Sequence, residues 1–213
     1  MYTTAKFNFT ERLNVSFGIR STHHQINKLW YHEPRLSATY KINDKLNLKS
    51  AIGRYYQFVN QIQYDDPYNG LQSFWVFSSN EIPVVQSNHY ILGGTYKTAG
   101  FTIDVEAYYK DLEGVVEFNP VPYFIKEDNL DFELFLPGRG RMRGVDILLQ
   151  KETGIHKGWL GYSISRSLHA FPSIAKGAFF PGLNDQPHEI KLVNMVTLGK
   201  WHLSSTWMYG SGR

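Results

Sequence analysis

The chain has 213 residues with 42% hydrophobic and 15% aromatic content, enough for one large core and too evenly mixed for disorder. A net charge of +3 is small for this length and supplies neither a nucleic-acid footprint nor an electrostatic membrane anchor. The absence of cysteine removes disulfide and thiol chemistry, and no window approaches the unbroken apolar run of about 18 residues that a spanning helix needs.

From the N-terminus the pattern alternates. Phe7 and Phe9 oppose Lys6 and Asn8, the alternation breaks at Thr10-Glu11-Arg12, and it resumes as Leu13, Val15, Phe17 and Ile19 against Asn14, Ser16, Gly18 and Arg20. That is an antiparallel hairpin. Residues 21–33 are polar and predict a solvated loop; His23 and His24 within it would point to opposite sides of an extended segment, with no carboxylate at ligand spacing. Leu36, Ala38, Tyr40 and Ile42 alternate with Arg35, Ser37, Thr39 and Lys41 up to an Asn43-Asp44 turn, after which Leu46, Leu48 and Ile52 continue one face.

Residues 58–87 then carry Asp65-Asp66-Pro67-Tyr68-Asn69-Gly70 and Phe74-Trp75, a segment too long for an ordinary connector and so a candidate functional loop. A hairpin about Ala99-Gly100 follows, whose second strand sets Phe101, Ile103, Val105, Ala107 and Tyr109 against Thr102, Asp104, Glu106, Tyr108 and Lys110. The second set is too polar for a dry core. Residues 111–137 are another long connection. Beyond it a glycine-rich basic stretch, Gly138-Arg-Gly-Arg-Met-Arg-Gly144, passes into the strand Val145, Ile147, Leu149, and a turn near Thr153 leads to residues 158–166. There Leu160, Tyr162 and Ile164 oppose Gly161, Ser163 and Ser165, a small polar face that suits a crowded wet lumen better than a dry sandwich. After a third long connection, 168–187, the strand at 188–198 has a muddled pattern, with Val193 and Met195 opposing Leu192 and Val196; Gly199-Lys200 turns the chain into 201–209.

About ten strands result, with no helical period between them, and short and long connections alternate. Short turns at one end and long loops at the other is the asymmetry of outer-membrane barrels, and the load of 14 Tyr, 14 Phe and 5 Trp fits their interfacial girdles. No blade-like repeat supports a propeller. Gly138-Arg-Gly140 is no dinucleotide loop, because the next glycine, Gly144, is one residue too far and a strand follows instead of a helix. Arg139, Arg141 and Arg143 are expected to face water from a loop at a barrel rim, with no nucleic-acid role. Among Asp65, Asp66, Ser163, Ser165, Asp185 and His188 no nucleophile, base and orienter can be paired by spacing, so no catalytic residues, metal ligands or cofactor are assigned.

The stretches 138–151, 158–167, Phe180-Pro181 with Asp185-Gln-Pro-His188, and 201–212 resemble the C-terminal part of the barrel of TonB-dependent outer-membrane receptors, especially those of Bacteroidetes type; residues 34–56 are also similar. These are strand and turn patterns, specific for architecture and weak for ligand. The resemblance implies an all-β, antiparallel up-and-down transmembrane barrel in the outer membrane of a Gram-negative bacterium, energy-coupled uptake of a scarce nutrient (siderophore, glycan, peptide or cobalamin), a plug domain, an inner-membrane TonB complex and, as a further candidate partner, a surface lipoprotein. An outer-membrane enzyme with rim-located acids and a soluble β-rich binding domain are the alternatives.

Four expectations follow. Val15, Phe17, Leu36, Tyr40, Ile103, Val105, Val145, Ile147, Tyr162 and Ile164 form the apolar parity and should face lipid. Lys41, Lys49, Asp104, Glu106 and Asp146 should line the lumen and pair with one another or with the plug, whereas Arg54 and Arg166, on the apolar parity at the outer strand ends, should meet lipopolysaccharide phosphates. Tyr64, Asp65, Asp66, Tyr68, Phe74 and Trp75 are candidate ligand contacts, as flat apolar faces beside acceptors. Finally, about ten strands is under half of the roughly 22 in plugged transporters, so residues 1–213 should be one partial barrel domain, both ends extracellular, with unpaired edges near Phe7 and Thr206.

Overall fold

A computed structural model describes residues 1–66, 68–119 and 135–212; of Asp65, Asp66 and Leu71 only the backbone is described. The strands are β1 (Tyr2–Asn8), β2 (Leu13–His24), β3 (Leu29–Lys41), β4 (Leu46–Gln57), β5 (Val59–Asp66), β6 (Gly70–Phe77), β7 (Val85–Thr98), β8 (Phe101–Phe118), β9 (Phe135–Lys151), β10 (His156–Ala170), β11 (Phe180–Pro181), β12 (His188–Leu198) and β13 (Trp201–Gly210). Ten of them form one meandering antiparallel sheet in the order β1-β2-β3-β4-β7-β8-β9-β10-β12-β13, with β11 appended to β10 and β5–β6 a separate hairpin. Among the described residues β1 and β13 each pair on one side only, so the sheet is not closed.

The register turns the separate alternations into one surface. Directly opposed residues share a face, and one transverse row runs Leu13, Tyr40, Leu48, Gly94, Val105, Ile147, Tyr162, Ile190, Tyr209. The adjacent row runs Val15, Ala38, Ser50, Leu92, Ala107, Val145, Ile164, His188. Phe17, Leu36, Ile52, Tyr90 and Tyr109 form the row beyond, and Leu46, Tyr96, Ile103, Leu149, Leu160, Leu192 and Trp207 the row before. All ten residues expected on the apolar parity therefore share one face. On β8 this band runs from Phe101 to Tyr109, about nine residues, the length a tilted strand needs to cross a bilayer.

Short turns close one end. Ala99 and Gly100, both at positive φ, make the two-residue turn between β7 and β8, and Asn43 Oδ1 accepts from the backbone N–H groups of Lys45 (2.9 Å) and Leu46 (2.9 Å). At the other end several strands outrun the band, and the structure corrects the expected loops there. Residues 21–33 are strand on both sides of a four-residue turn, because Ser21, Thr22, His23 and His24 pair with His32, Tyr31, Trp30 and Leu29. The histidines are absorbed locally: His32 Nδ1 lies 2.9 Å from Ser21 Oγ, and His24 stacks on Phe58 with centroids 4.9 Å apart. Residues 59–77 are largely the β5–β6 hairpin, and β10 continues to Ala170. Gly138 to Gly144 belong to β9: Gly138, Gly140 and Gly144 sit on one parity, where Phe171 and Tyr108 crowd Gly138 and Gly144, and the three arginines on the other.

The buried apolar residues collect at this extended end. Ile62, Val76 and Ile82 form a cluster against Phe74, Val116, Phe118 and Phe135, while Leu136, Ala170 and the fully buried Phe171 lie at the outer ends of β9 and β10. Within the band, Phe17, Leu36, Leu92 and Trp207 remain exposed.

Candidate ligand-binding region and inner face

The β5–β6 hairpin is two-faced for the same reason as the sheet. Asn60, Ile62 and Tyr64 oppose Val76, Phe74 and Gln72, and this parity packs toward the outer part of β8; Gln61, Gln63, Ser73, Trp75 and Phe77 are on the other. Tyr64 meets Phe118 (4.9 Å between centroids), and Phe74 meets Phe118 (5.6 Å, edge-on) and Phe135 (6.4 Å). Beside them lies a concavity of about 260 Å³ lined by Tyr64, Glu117, Phe118, His169, Phe180, Pro181, Gly182 and Leu183. Gly182 closes over the imidazole, since a Cβ there would sit 3.1 Å from His169 Cε1. Burial raises the Glu117 carboxyl above the usual carboxylate range and lowers the His169 imidazole below its own. Among the described residues Glu117 has no ion-pair partner. An aromatic cup with one half-buried acid and one imidazole has the shape and chemistry to take flat apolar groups with polar substituents.

The six residues singled out for ligand contact do not converge. Tyr64 reaches the cup, Phe74 is a packing residue of the hairpin's underside, Tyr68 is exposed at the tip, and Trp75 is exposed on the opposite face. The side chains of Asp65 and Asp66 lie outside the described residues. Glu117, Phe118, His169 and Phe180 escaped the sequence because they fall in segments whose pattern suggested connections; the alternation of Val115, Val116, Glu117 and Phe118 is masked by the irregularity at Gly114, where the register shifts between Glu113 and Val115.

On the polar face Lys49, Gly93, Glu106, Asp146, Ser163 and Glu189 occupy one row. Lys49 Nζ reaches over Gly93 to pair with Glu106 and with Asp104 at 2.7 Å, and Asp104 also accepts from Thr95 Oγ1 at 2.5 Å. Lys41 pairs with Asp44 of the turn at 2.6 Å, and Asp146, opposite Glu106, has no ion pair among the described residues. Higher on this face the buried Glu33 carboxylate takes Arg35 at 3.0 Å, Arg20 at 3.7 Å and the Tyr56 backbone N–H at 2.9 Å. It thereby satisfies a donor where β3 and β4 part beyond the pairing of Arg35 with Gly53. Arg54 and Arg166 sit in unbroken register on the apolar parity, opposite Asn88 and Arg143.

The family model for the TonB dependent receptor-like β-barrel matches residues 1–212. The chain belongs to that family. TonB-dependent receptors of this kind are outer-membrane receptors and transporters of Gram-negative bacteria, not an enzyme family, and their full-length members carry a plug domain and engage TonB. Among solved structures the chain is similar to the siderophore receptor PirA of Acinetobacter baumannii, with a TM-score of 0.64 at 11% identity over 97% of this chain. The chain spans 32% of that structure's length, and the likeness is one of fold. No curated protein matches the sequence.

Proposed function

We propose that residues 1–213 form one partial domain, a section of the barrel wall of an outer-membrane transporter that takes up a scarce nutrient with energy supplied through TonB, and that its outer end contacts the solute. The observation that carries this reading is the division of one sheet into an apolar band about nine residues tall, a charged opposite face, and an aromatic assembly built only beyond the band. A soluble protein rarely leaves so continuous an apolar face open to water. Within the same reading, Lys49, Asp104, Glu106 and Asp146 line the lumen, where the uncompensated Asp146 presents charge to a plug.

The solute-contacting surfaces are two: the cup formed by Tyr64, Phe118, Glu117, His169 and Phe180, and the hairpin's exposed tip and far face, with Tyr68, Asp65, Asp66 and Trp75. This mixture suits an aromatic chelate, as carried by a siderophore, or a sugar. The test is uptake of labelled siderophores and oligosaccharides by cells that depend on the full-length receptor, with and without an uncoupler. Deleting residues 65–75 should abolish binding and uptake of the cognate solute; unchanged binding and uptake would remove the hairpin from the site.

A further inference from the structure

The outward side of β9 carries a ladder of three guanidinium groups, and its rungs differ. Arg139 stands opposite Glu113 and Arg141 opposite Asp111, the latter with a contact of 3.6 Å, so each of these cations faces an acid on β8. Arg141 also lies over the Phe179 ring at 4.5 Å. Arg143, the lowest rung, faces Tyr109 on β8 and Arg166 on β10. Like charges directly opposed across two strands are destabilising, and among the described residues no acid pairs with Arg143. Arg166 is held from behind: Asp185, 4% exposed, accepts its Nη1 at 2.9 Å and the Ser167 backbone N–H at 2.6 Å. That single carboxylate faces one of the two guanidinium groups.

The position of the pair says what covers it. The pair stands in the uppermost row of the apolar band, level with Tyr109 and Tyr90, where aromatic rings mark a membrane interface, and immediately below lie Val145 and Ile164. An anion that bridges Arg143 and Arg166 there belongs to a molecule whose other end is hydrocarbon. We propose that Arg143 and Arg166 form a two-arginine clamp for a phosphate of an outer-leaflet glycolipid, its acyl chains lying along Val145, Ile147 and Ile164. The inference rests on the outer-membrane placement proposed above. Two guanidinium forks match phosphate geometry and strengthen at the edge of a low-dielectric layer. The clamp adds Arg143 as the partner that the sequence did not assign, while Arg54 stands opposite Asn88, to whose Oδ1 its Nε donates at 3.0 Å, and not opposite a second guanidinium.

The test uses the full-length receptor purified from outer membranes in detergent, with lipid A retention measured by native mass spectrometry. The probes are lipid A with its phosphates, the same lipid enzymatically dephosphorylated, and inorganic phosphate. The wild type should retain phosphorylated lipid A at least tenfold more tightly than the dephosphorylated form, and Arg143→Gln with Arg166→Gln should erase that difference. Lys200→Gln, at the short-turn end, should leave it intact. Equal retention by wild type and the double variant, or retention indifferent to the lipid's phosphates, overturns the clamp while the transport reading stands if uptake persists. Binding of inorganic phosphate as tight as that of the lipid reduces the site to an adventitious anion site and overturns it too. A wild-type receptor found outside the outer membrane overturns both.

Discussion

Gly93 shows how a residue without a side chain organises charged ones. It lies between Lys49 and Glu106 in one row, and a Cβ there would come within 2.5 Å of the Val105 carbonyl oxygen, 3.0 Å of Glu106 Cγ and 3.1 Å of Lys49 Cε. Its neighbour Gly94 faces the apolar side with ordinary clearances of 3.4 Å. Gly93→Ala should therefore cost about 1–3 kcal/mol by overpacking, and Gly94→Ala much less, as read by urea unfolding of the full-length receptor in bilayers; equal costs would refute the assignment. His169 and Glu117 make opposite pH predictions at the outer cup. The lowered His169 leaves a contribution present above its ordinary 6.5 and lost as pH falls below it; the raised Glu117 leaves one present below its ordinary 4.5 and lost as pH rises. In thermal melts of the receptor, His169→Gln should flatten the acid-side loss and Glu117→Gln the loss above pH 4.5. Unaltered profiles would show that neither group titrates differently in the folded protein.

At the level of the strand, the proposed placement gives the two parities different solvents. Val105 and Ile147 are directly opposed in the middle of the apolar band, whereas Thr102 and Ser163 lie on the polar face. Arginine at Val105 or Ile147 should destabilise the barrel by roughly 2 to 4 kcal/mol near mid-membrane, and arginine at Thr102 or Ser163 by less. Bilayer folding titrations of the full-length receptor measure both, and similar values on the two parities would sink the lipid-facing assignment. The muddled β12 has a strand-level explanation: Ile190, Leu192 and Val196 join the band, while Val193 faces inward opposite Trp159 and Met195 opposite Lys157. An inner face tolerates scattered apolar groups where they cover one another, so a strict two-residue period blurs there.

At the scale of the sheet, the described residues form ten strands in sequential order whose edges at β1 and β13 have no partner among them, a curtain of backbone donors and acceptors left open on both sides. In lipid each unpaired group costs several kcal/mol. Residues 1–213 produced alone should therefore aggregate or pair edge to edge, as gel mobility before and after heating would show. A monomeric, heat-resistant closed barrel formed by these residues alone would contradict the open topology.

Much of this architecture was legible in the residues because the signal is local. The five short turns, the parity of Val15, Phe17, Ile103, Val105, Ile147 and Ile164, and the antiparallel order depend on a period of two and on turn chemistry, and both are properties of neighbouring residues. What lies beyond the band was not, because there the strands continue without a continuous apolar face to mark their alternation. Residues 21–24 and 29–33 look like a loop yet are strand, since pairing of His23 with Trp30 and of Ser21 with His32 supplies the stabilisation that local pattern lacks. The meeting of Tyr64 with Phe118 and the sharing of one concavity by Glu117 and His169 join segments far apart in the chain, as does the juxtaposition of Arg143 with Arg166. Such contacts are decided by register between strands and by the packing of the β5–β6 hairpin on β8, non-local quantities that the tertiary structure alone determines.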